Sequence, residues 1–290
     1  MIACCAIWGL SPLFYRLLNH IDPADVLAHR TVWSLVFFTS ILLVQRRLGA
    51  LAVAVSNRRQ IGWVVLAAVM ISINWFLFIV AVQIDRVTET SLGYYIFPLV
   101  SVLFGYALFR ERLRAFQWVA VALAALAVVV LTVGLGAPPW ISLVLATTFG
   151  IYGVLKKRVA EGPVVSVTAE VLVLVPLAWI WLAFFAGIGW PDAATLMLLI
   201  LTGPMTAMPL MLFSYAAKRV RLATVGILQF INPTLQFLLA VMVFGEPIGL
   251  PHMVAFPLIW VAVAIYSWIA LAEDRAARTA SARAATVGTG

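Results

Sequence analysis

Charged side chains make up only 10% of these 290 residues, so the few that interrupt apolar stretches are the first candidates for chemistry. Arg30 and Glu170 each stand well inside a long apolar run. A charge in hydrocarbon is costly unless it faces a partner, water or a ligand. In a helix rising ~1.5 Å per residue, six residues put each charge about 9 Å from its membrane surface. The two enter from opposite sides at nearly equivalent places, which leaves about 12 Å between their backbone levels. Two long side chains span that gap. One reading is a cavity pair that binds a polar substrate or exchanges a proton. The other is a structural ion pair, or an Arg30 that snorkels to the surface as Arg16 does at the end of its run.

A second set is polar but uncharged, or aromatic. Asn74 and Trp75 sit in mid-run, as do Tyr94 and Tyr95, and Gln229, Phe230 and Asn232. An amide in lipid needs a partner or a wet cavity, so Asn74, Gln229 and Asn232 are expected to face inward. Aromatic groups with polar tips suit a pocket for planar, partly apolar solutes. Of the eleven tryptophans, Trp8, Trp33 and Trp75 lie deep enough for that pocket. Trp63, Trp118 and Trp190 fit an interfacial belt. His29 precedes Arg30 and has no second metal-type ligand at a useful spacing, so it reads as a hydrogen-bonded group at the edge of the same cavity. Pro98 and Pro233 fall inside apolar runs, where each removes a helical hydrogen bond and bends the axis, which suits either gating or a static kink. Glu111 and Glu246 each precede a following run and are expected to cap its start.

The signatures of common enzymes are missing: HExxH, GxSxG, a P-loop and a dinucleotide fingerprint. Cys4 and Cys5 are adjacent in an apolar run and match no metal or disulfide spacing. The sequence implies no cofactor and no metal.

The elements that must hold these residues follow from composition. The chain is 64% apolar, against 45–50% for soluble domains. Runs of about 20 apolar residues cross a bilayer. Ten stand out, at 2–18, 25–45, 61–83, 90–109, 116–134, 138–155, 164–186, 193–216, 223–244 and 251–271. Barrel strands would alternate over short segments instead. The first run lacks a basic leader and a cleavage site, so it reads as a retained helix. The segment 272–290 is rich in Ala, Arg, Ser and Thr and reads as a flexible end.

The net charge of +8 is distributed in a pattern. Sixteen of the nineteen Lys and Arg lie after even-numbered runs; Arg86 is the one after an odd run, and Arg16 and Arg30 lie within runs. That asymmetry predicts both termini in the cytoplasm. It argues for a lipid bilayer rather than nucleic acid as the environment of the basic residues. A shift of 135 residues aligns Pro98 with Pro233, Glu111 with Glu246, Tyr95 with Phe230 and Arg86 with Arg221. A five-run unit is odd, so residues 137–271 would insert upside down relative to residues 1–136. Inverted repeats with a central site are a transporter architecture.

The chain also resembles the RarD-like branch of the EamA family in the drug/metabolite transporter superfamily. The likeness rests on AIWGLSPLFYRLL at 6–18, ADVLAHRTVWS at 24–34, NWFLFIVAV at 74–82 and SLGYYIFPLVSVLFG at 91–105. In the second half it rests on MTAMPLMLFSYAAKRVRL at 205–222 and GILQFINPTLQFLLAVMVFGE at 226–246. The resemblance implies a ten-helix, five-plus-five fold that exports or exchanges small metabolites; the branch is associated by name with chloramphenicol sensitivity. Such relatives begin several residues earlier, with a longer first helix, which puts the true start of this chain in question.

The expectation is an all-α integral membrane protein of ten spans in two inverted five-helix repeats. Its expected function is secondary transport of small organic metabolites or drug-like solutes by alternating access across the cytoplasmic membrane. With no ATP-binding element, uphill movement would draw on a coupling ion, a proton or exchange, and a monomer would suffice. The alternatives are a membrane-embedded enzyme acting on lipid-linked substrates and a passive channel or sensor.

Overall fold

Backbone groups inside lipid must be satisfied within their own segment, which drives apolar runs into helices. The computed structural model describes residues 1–56, 58–109, 115–136, 138–156, 161–187, 189, 191–217 and 228–287, and no strand occurs among them. The helices are α1 (Ile2–Arg16), α2 (Pro23–Val44), α3 (Leu48–Ser56), α4 (Arg58–Gln83), α5 (Val87–Phe109) and α6 (Ala115–Leu135). They continue with α7 (Trp140–Lys156), α8 (Pro163–Phe184), α9 (Ala193–Ala217), α10 (Ile231–Leu238) and α11 (Leu250–Val287). Among the described residues, six helical stretches are long and apolar enough to cross a bilayer: Pro23–Val44, Gln60–Gln83, Ala115–Leu135, Pro163–Phe184, Ala193–Phe213 and Leu250–Ile269. Ile2–Arg16, Trp140–Lys156 and Ile231–Val243 are shorter apolar helices. The chain is an all-α integral membrane protein.

Local chemistry sets the starts. Asp22 accepts a hydrogen bond from the Ala24 amide at 2.8 Å, and Pro23 follows at the first helical position, so α2 begins there. Pro163 likewise takes the first position of α8, there after Gly162 and without a side-chain cap.

Three features differ from the sequence reading. Residues 46–60, read as a connection, hold the nine-residue α3, which is about half the length needed to cross. The ninth run, read as one helix, is interrupted. Residues 228 and 229 are helical, Phe230 is a turn, and α10 begins at Ile231. Pro233 explains the break, because it has no N–H for the carbonyl four residues back and its ring crowds that turn. Beyond α10 the chain winds as a π-helix over Leu239–Val243. The end expected to be flexible from residue 272 continues α11 to Val287, since Ala and Arg favour helix. Glu111, Trp190, the basic residues Arg110, Arg112, Arg114, Lys157, Arg158, Lys218, Arg219 and Arg221, and the start of the ninth run lie outside the described residues.

The helices pack in related pairs. α6 lies along α11, α2 along α8, and α5 crosses α10. α5 also packs on α7 and α1 on α10; α2 packs on α9 and α4 on α8; α4 packs on α7 and α1 on α9. With the short α3 set aside, replacing each helix by the one five helices on returns the first three of these pairs to themselves and exchanges the other six in twos. Two glycines let backbones meet. A Cβ on Gly203 of α9 would lie 2.6 Å from the Trp33 carbonyl oxygen of α2. A Cβ on Gly93 of α5 would lie 2.9 Å from the Ser142 carbonyl oxygen of α7.

Candidate functional site

The broken α10 and the Pro98-containing α5 cross against α1, α4, α7, α8 and α9 around a cavity of about 330 Å³. Its lining runs from Tyr15, near the far end of α1, and Gln236 to Cys5, Lys156 and Pro163. Cys5 lies near the start of α1, Lys156 ends α7 and Pro163 starts α8, so the cavity reaches that end of the bundle.

Arg30 projects from α2 into this space with only 7% of its surface exposed. Its Nε donates to Thr206 Oγ1 of α9 at 2.9 Å. The guanidinium carbon lies 4.1 Å from the Trp75 ring centre and 5.5 Å from that of Tyr15. Both are cation–π distances, so two aromatic rings lie against the guanidinium. Among the described residues no carboxylate comes within 4.0 Å of it.

Asn74 ties three helices together beside Arg30. Its Nδ2 donates to the Leu145 carbonyl at 3.0 Å and to Thr148 Oγ1 at 3.1 Å, both on α7. Its Oδ1 accepts from the Tyr94 hydroxyl of α5 at 3.2 Å. Tyr94 meets Phe149 edge to face, and Asn74, Tyr94 and Phe149 all line the cavity. Across it, Gln229, Phe230 and Asn232 come from the broken helix, and Gln236 Nε2 donates to Asn232 Oδ1 at 2.9 Å. Trp8 faces Phe213 with ring centres 6.2 Å apart.

Among the described residues Glu170 is the most buried carboxylate at this end of the bundle, and it does not meet Arg30. It receives Lys156 Nζ at 2.6 Å and Ser166 Oγ at 3.0 Å on Oε1, and the Tyr152 hydroxyl at 3.0 Å on Oε2. Lys156 also bonds Ser166. The reason is local: α7 ends and α8 begins at the same bundle end, so Lys156 reaches Glu170 first, while Arg30 is held from α9. Lys156, Tyr152, Tyr15, Thr206 and Gln236 are site residues the sequence reading did not single out. The signal available was spacing: Tyr152 and Lys156 are four apart, as are Ser166 and Glu170, so each pair shares a helix face.

Other named residues stand around the cavity rather than among its lining. Tyr95 stacks on Phe230 with ring centres 6.2 Å apart and shares a 2.6 Å hydrogen bond with Thr234. Pro98 and Pro233 are in the lining; His29, Trp33, Tyr95 and Glu170 are not. The Trp33 indole N–H is buried without a partner among the described residues. Trp63 and Trp118 are exposed on the outer faces of α4 and α6.

The opposite end of the bundle is tied shut. Glu246 was expected to cap the helix that follows it. Instead it caps α5 across the molecule, accepting from the Val87 amide at 2.5 Å and from the Thr88 amide and hydroxyl at 2.8 and 2.5 Å. The positive-φ turn at Gly245 and the crossing of α5 over α10 direct it there. Thr90 donates to Gln236 Oε1, and Ser91 to the Pro233 carbonyl, each at 2.8 Å. Arg16 pairs with Asp85 beside the Phe244 ring. Among the described residues no group of three or more His, Cys, Asp or Glu side chains could hold a metal.

Comparison with known proteins places this arrangement. The EamA-like transporter family matches residues 1–133. Protein RarD of Streptomyces exfoliatus is 45% identical over 280 residues, covering 94% of this chain and 88% of that one. An uncharacterized transporter of Pseudomonas aeruginosa is 40% identical over 269 residues, covering 90% of each. A solved crystal structure superposes with a TM-score of 0.64 at 21% identity, covering 92% of this chain and 95% of that one. At that identity the likeness is one of fold.

Proposed function

The chain belongs to the EamA-like transporter family, as its RarD relatives show, and from that premise we propose that it is a secondary transporter of small organic solutes working by alternating access. One observation carries the reading. A cavity of about 330 Å³ lies at the crossing of α5 and α10, reaches one end of the bundle, and is tied shut toward the other. That is the shape of one state of an alternating-access cycle. The two halves are read as inverted five-helix repeats, supported by the exchange of helix pairs described above. The chain is placed in the cytoplasmic membrane with both termini inside, supported by the sixteen-to-one distribution of basic residues. On that placement the cavity faces the cytoplasm, and the Glu246 ties close the outer side.

The proposed substrate site comprises Trp8, Arg30, Asn74, Trp75, Tyr94, Gln229, Phe230 and Asn232, with Tyr95, Trp33 and His29 packed behind it. Pro98 and Pro233 are the hinge positions, favoured by the break that Pro233 already makes in its helix. Glu170 and Lys156 form the site for a coupling proton, in a pair close enough that protonating the Glu170 carboxylate would release Lys156.

Reconstituted vesicles test the proposal. Solute that crosses unchanged, with flux lost in Glu170→Gln only when a proton gradient drives it, supports it. A chemically modified product would instead mark an enzyme. A reporter fused after Gly290 that is active only outside the cytoplasm would overturn the orientation.

A further inference from the structure

We infer that the cavity selects monoanions, specifically a carboxylate on a flat apolar body, with Arg30 as its anchor. This rests on the reading of that cavity as the substrate site and goes on to name what occupies it.

The first ground is charge. Among the described residues, three ionisable side chains of fixed sign meet at or just behind the cavity wall: Arg30, Lys156 and Glu170. Lys156 and Glu170 neutralise each other at 2.6 Å. Arg30 remains, with 7% exposure and no carboxylate within 4.0 Å among the described residues. A lone cation at that depth needs an opposite charge or water. One negative charge balances it; two would leave an excess.

The second ground is shape. A guanidinium offers two faces and an edge. Trp75 and Tyr15 lie against it, with ring centres 4.1 and 5.5 Å from the central carbon, and Thr206 takes the Nε–H. The two Nη groups keep their N–H donors, and no acceptor for them is found among the described residues. Parallel N–H bonds along one edge are the geometry that a carboxylate accepts in bidentate fashion.

The third ground is the rest of the wall. Asn74 has both ends of its amide engaged by protein, and Ser11 donates to the Trp8 carbonyl, so neither offers a strong handle to a neutral polar solute. Trp8, Phe97, Phe149, Phe213 and Phe230 line the space between Arg30 and the open end. Flat apolar groups stack well on such rings. A carboxylate held at Arg30 would direct its body along them.

The test uses purified full-length protein in nanodiscs and three probes with one body: 3-phenylpropionate, its neutral amide, and 3-phenylpropylamine. Calorimetric titration is expected to rank the acid at least about tenfold tighter than the amide, with the amine weakest. Phenyl phosphate, a dianion near neutral pH, should bind less well than the acid. Arg30→Gln should bring acid and amide to within about twofold, and Arg30→Lys should keep part of the preference, since it keeps the charge and loses the fork. A wild-type protein that binds amide or amine as well as acid overturns the inference. So does an Arg30→Gln protein that still prefers the acid, and so does a preference for the phosphate. Should Arg30→Gln fail to fold, the wild-type ranking and Arg30→Lys still decide. Flux of the same probes in vesicles is read separately. Arg30-dependent acid binding without flux would end the transporter reading and leave the anion site. Flux of acid and amide alike would do the reverse.

Discussion

Replacing Asn74 by Leu removes a junction of three helices while changing side-chain volume little. Three hydrogen bonds are lost: to the Leu145 carbonyl, to Thr148 and from Tyr94, at 3.0, 3.1 and 3.2 Å. Side-chain hydrogen bonds between membrane helices average ~0.6 kcal/mol, so the expected cost is about 2 kcal/mol. Two of the acceptors suffer little, because Thr148 still donates to the Val144 carbonyl and the Leu145 carbonyl lies within α7. The group left without its partner is the Tyr94 hydroxyl, whose ring lines the cavity. A chain of this size should therefore melt roughly 3 °C lower. Solute binding should fall by more than that stability change accounts for, because Tyr94 is free to turn. Tyr94→Phe is the internal control: it breaks one bond, costs about 0.6 kcal/mol, and leaves Asn74 tied to α7. The assay is thermal unfolding in detergent beside calorimetric binding in nanodiscs. An Asn74→Leu protein that melts within about 1 °C of wild type and binds as well would refute the reasoning.

Further outcomes follow from other contacts. Lys156→Met leaves Glu170, 1% exposed, without its cation and should cost about 3–5 kcal/mol, most of which a second change, Glu170→Gln, restores; unfolding midpoints of the four proteins check it. Gly203→Val should destabilise by about 1–3 kcal/mol or more, because the new Cβ meets the Trp33 backbone. Gly153→Ala, with open space at its Cβ, should be neutral or gain up to about 1 kcal/mol in the same melting assay. Glu246→Ala should cost about 2 kcal/mol and speed hydrogen exchange at the Val87 and Thr88 amides, leaving the amides of α11 unaffected.

What could be read from the sequence was whatever acts within one segment. Apolar runs of bilayer length announced the helices, and Arg30 stood out because it interrupts one. Pro233 marked a weak point because a missing N–H is a local property. Lys156 was hidden for a comparable reason: it adjoins Lys157 and Arg158, and a basic trio at the end of a run reads as a solvated connection. Only the fold shows that Lys156 turns back toward Glu170. Glu246 was misread because its targets, Val87 and Thr88, lie 158 residues or more away, and no helical periodicity connects them. The helix α3 escaped because nine residues between arginine pairs are too few for a span, and helix was sought only at that length.

The distribution of satisfied polar groups also bears on how such a bundle could move. Six hydrogen bonds join the first turns of α5 to α10 and the segment after it: three to Glu246, and those from Thr90, from Ser91 and between Tyr95 and Thr234. At ~0.6 kcal/mol each, separating them without replacement costs about 4 kcal/mol. That corresponds to a separated state populated about once in a thousand molecules. Inverting an equilibrium from 1:99 to 99:1 takes a differential affinity of about 5.5 kcal/mol. The tie is therefore strong enough to hold one end shut in the resting protein. It is also weak enough for a ligand of ordinary affinity, bound more tightly in one state, to overcome. Around the cavity the accounting is different. Asn74 and Glu170 are saturated by protein partners, while the edge of Arg30 meets no acceptor among the described residues. The strongest unspent interaction in the wall is therefore the one positioned to contribute that differential affinity.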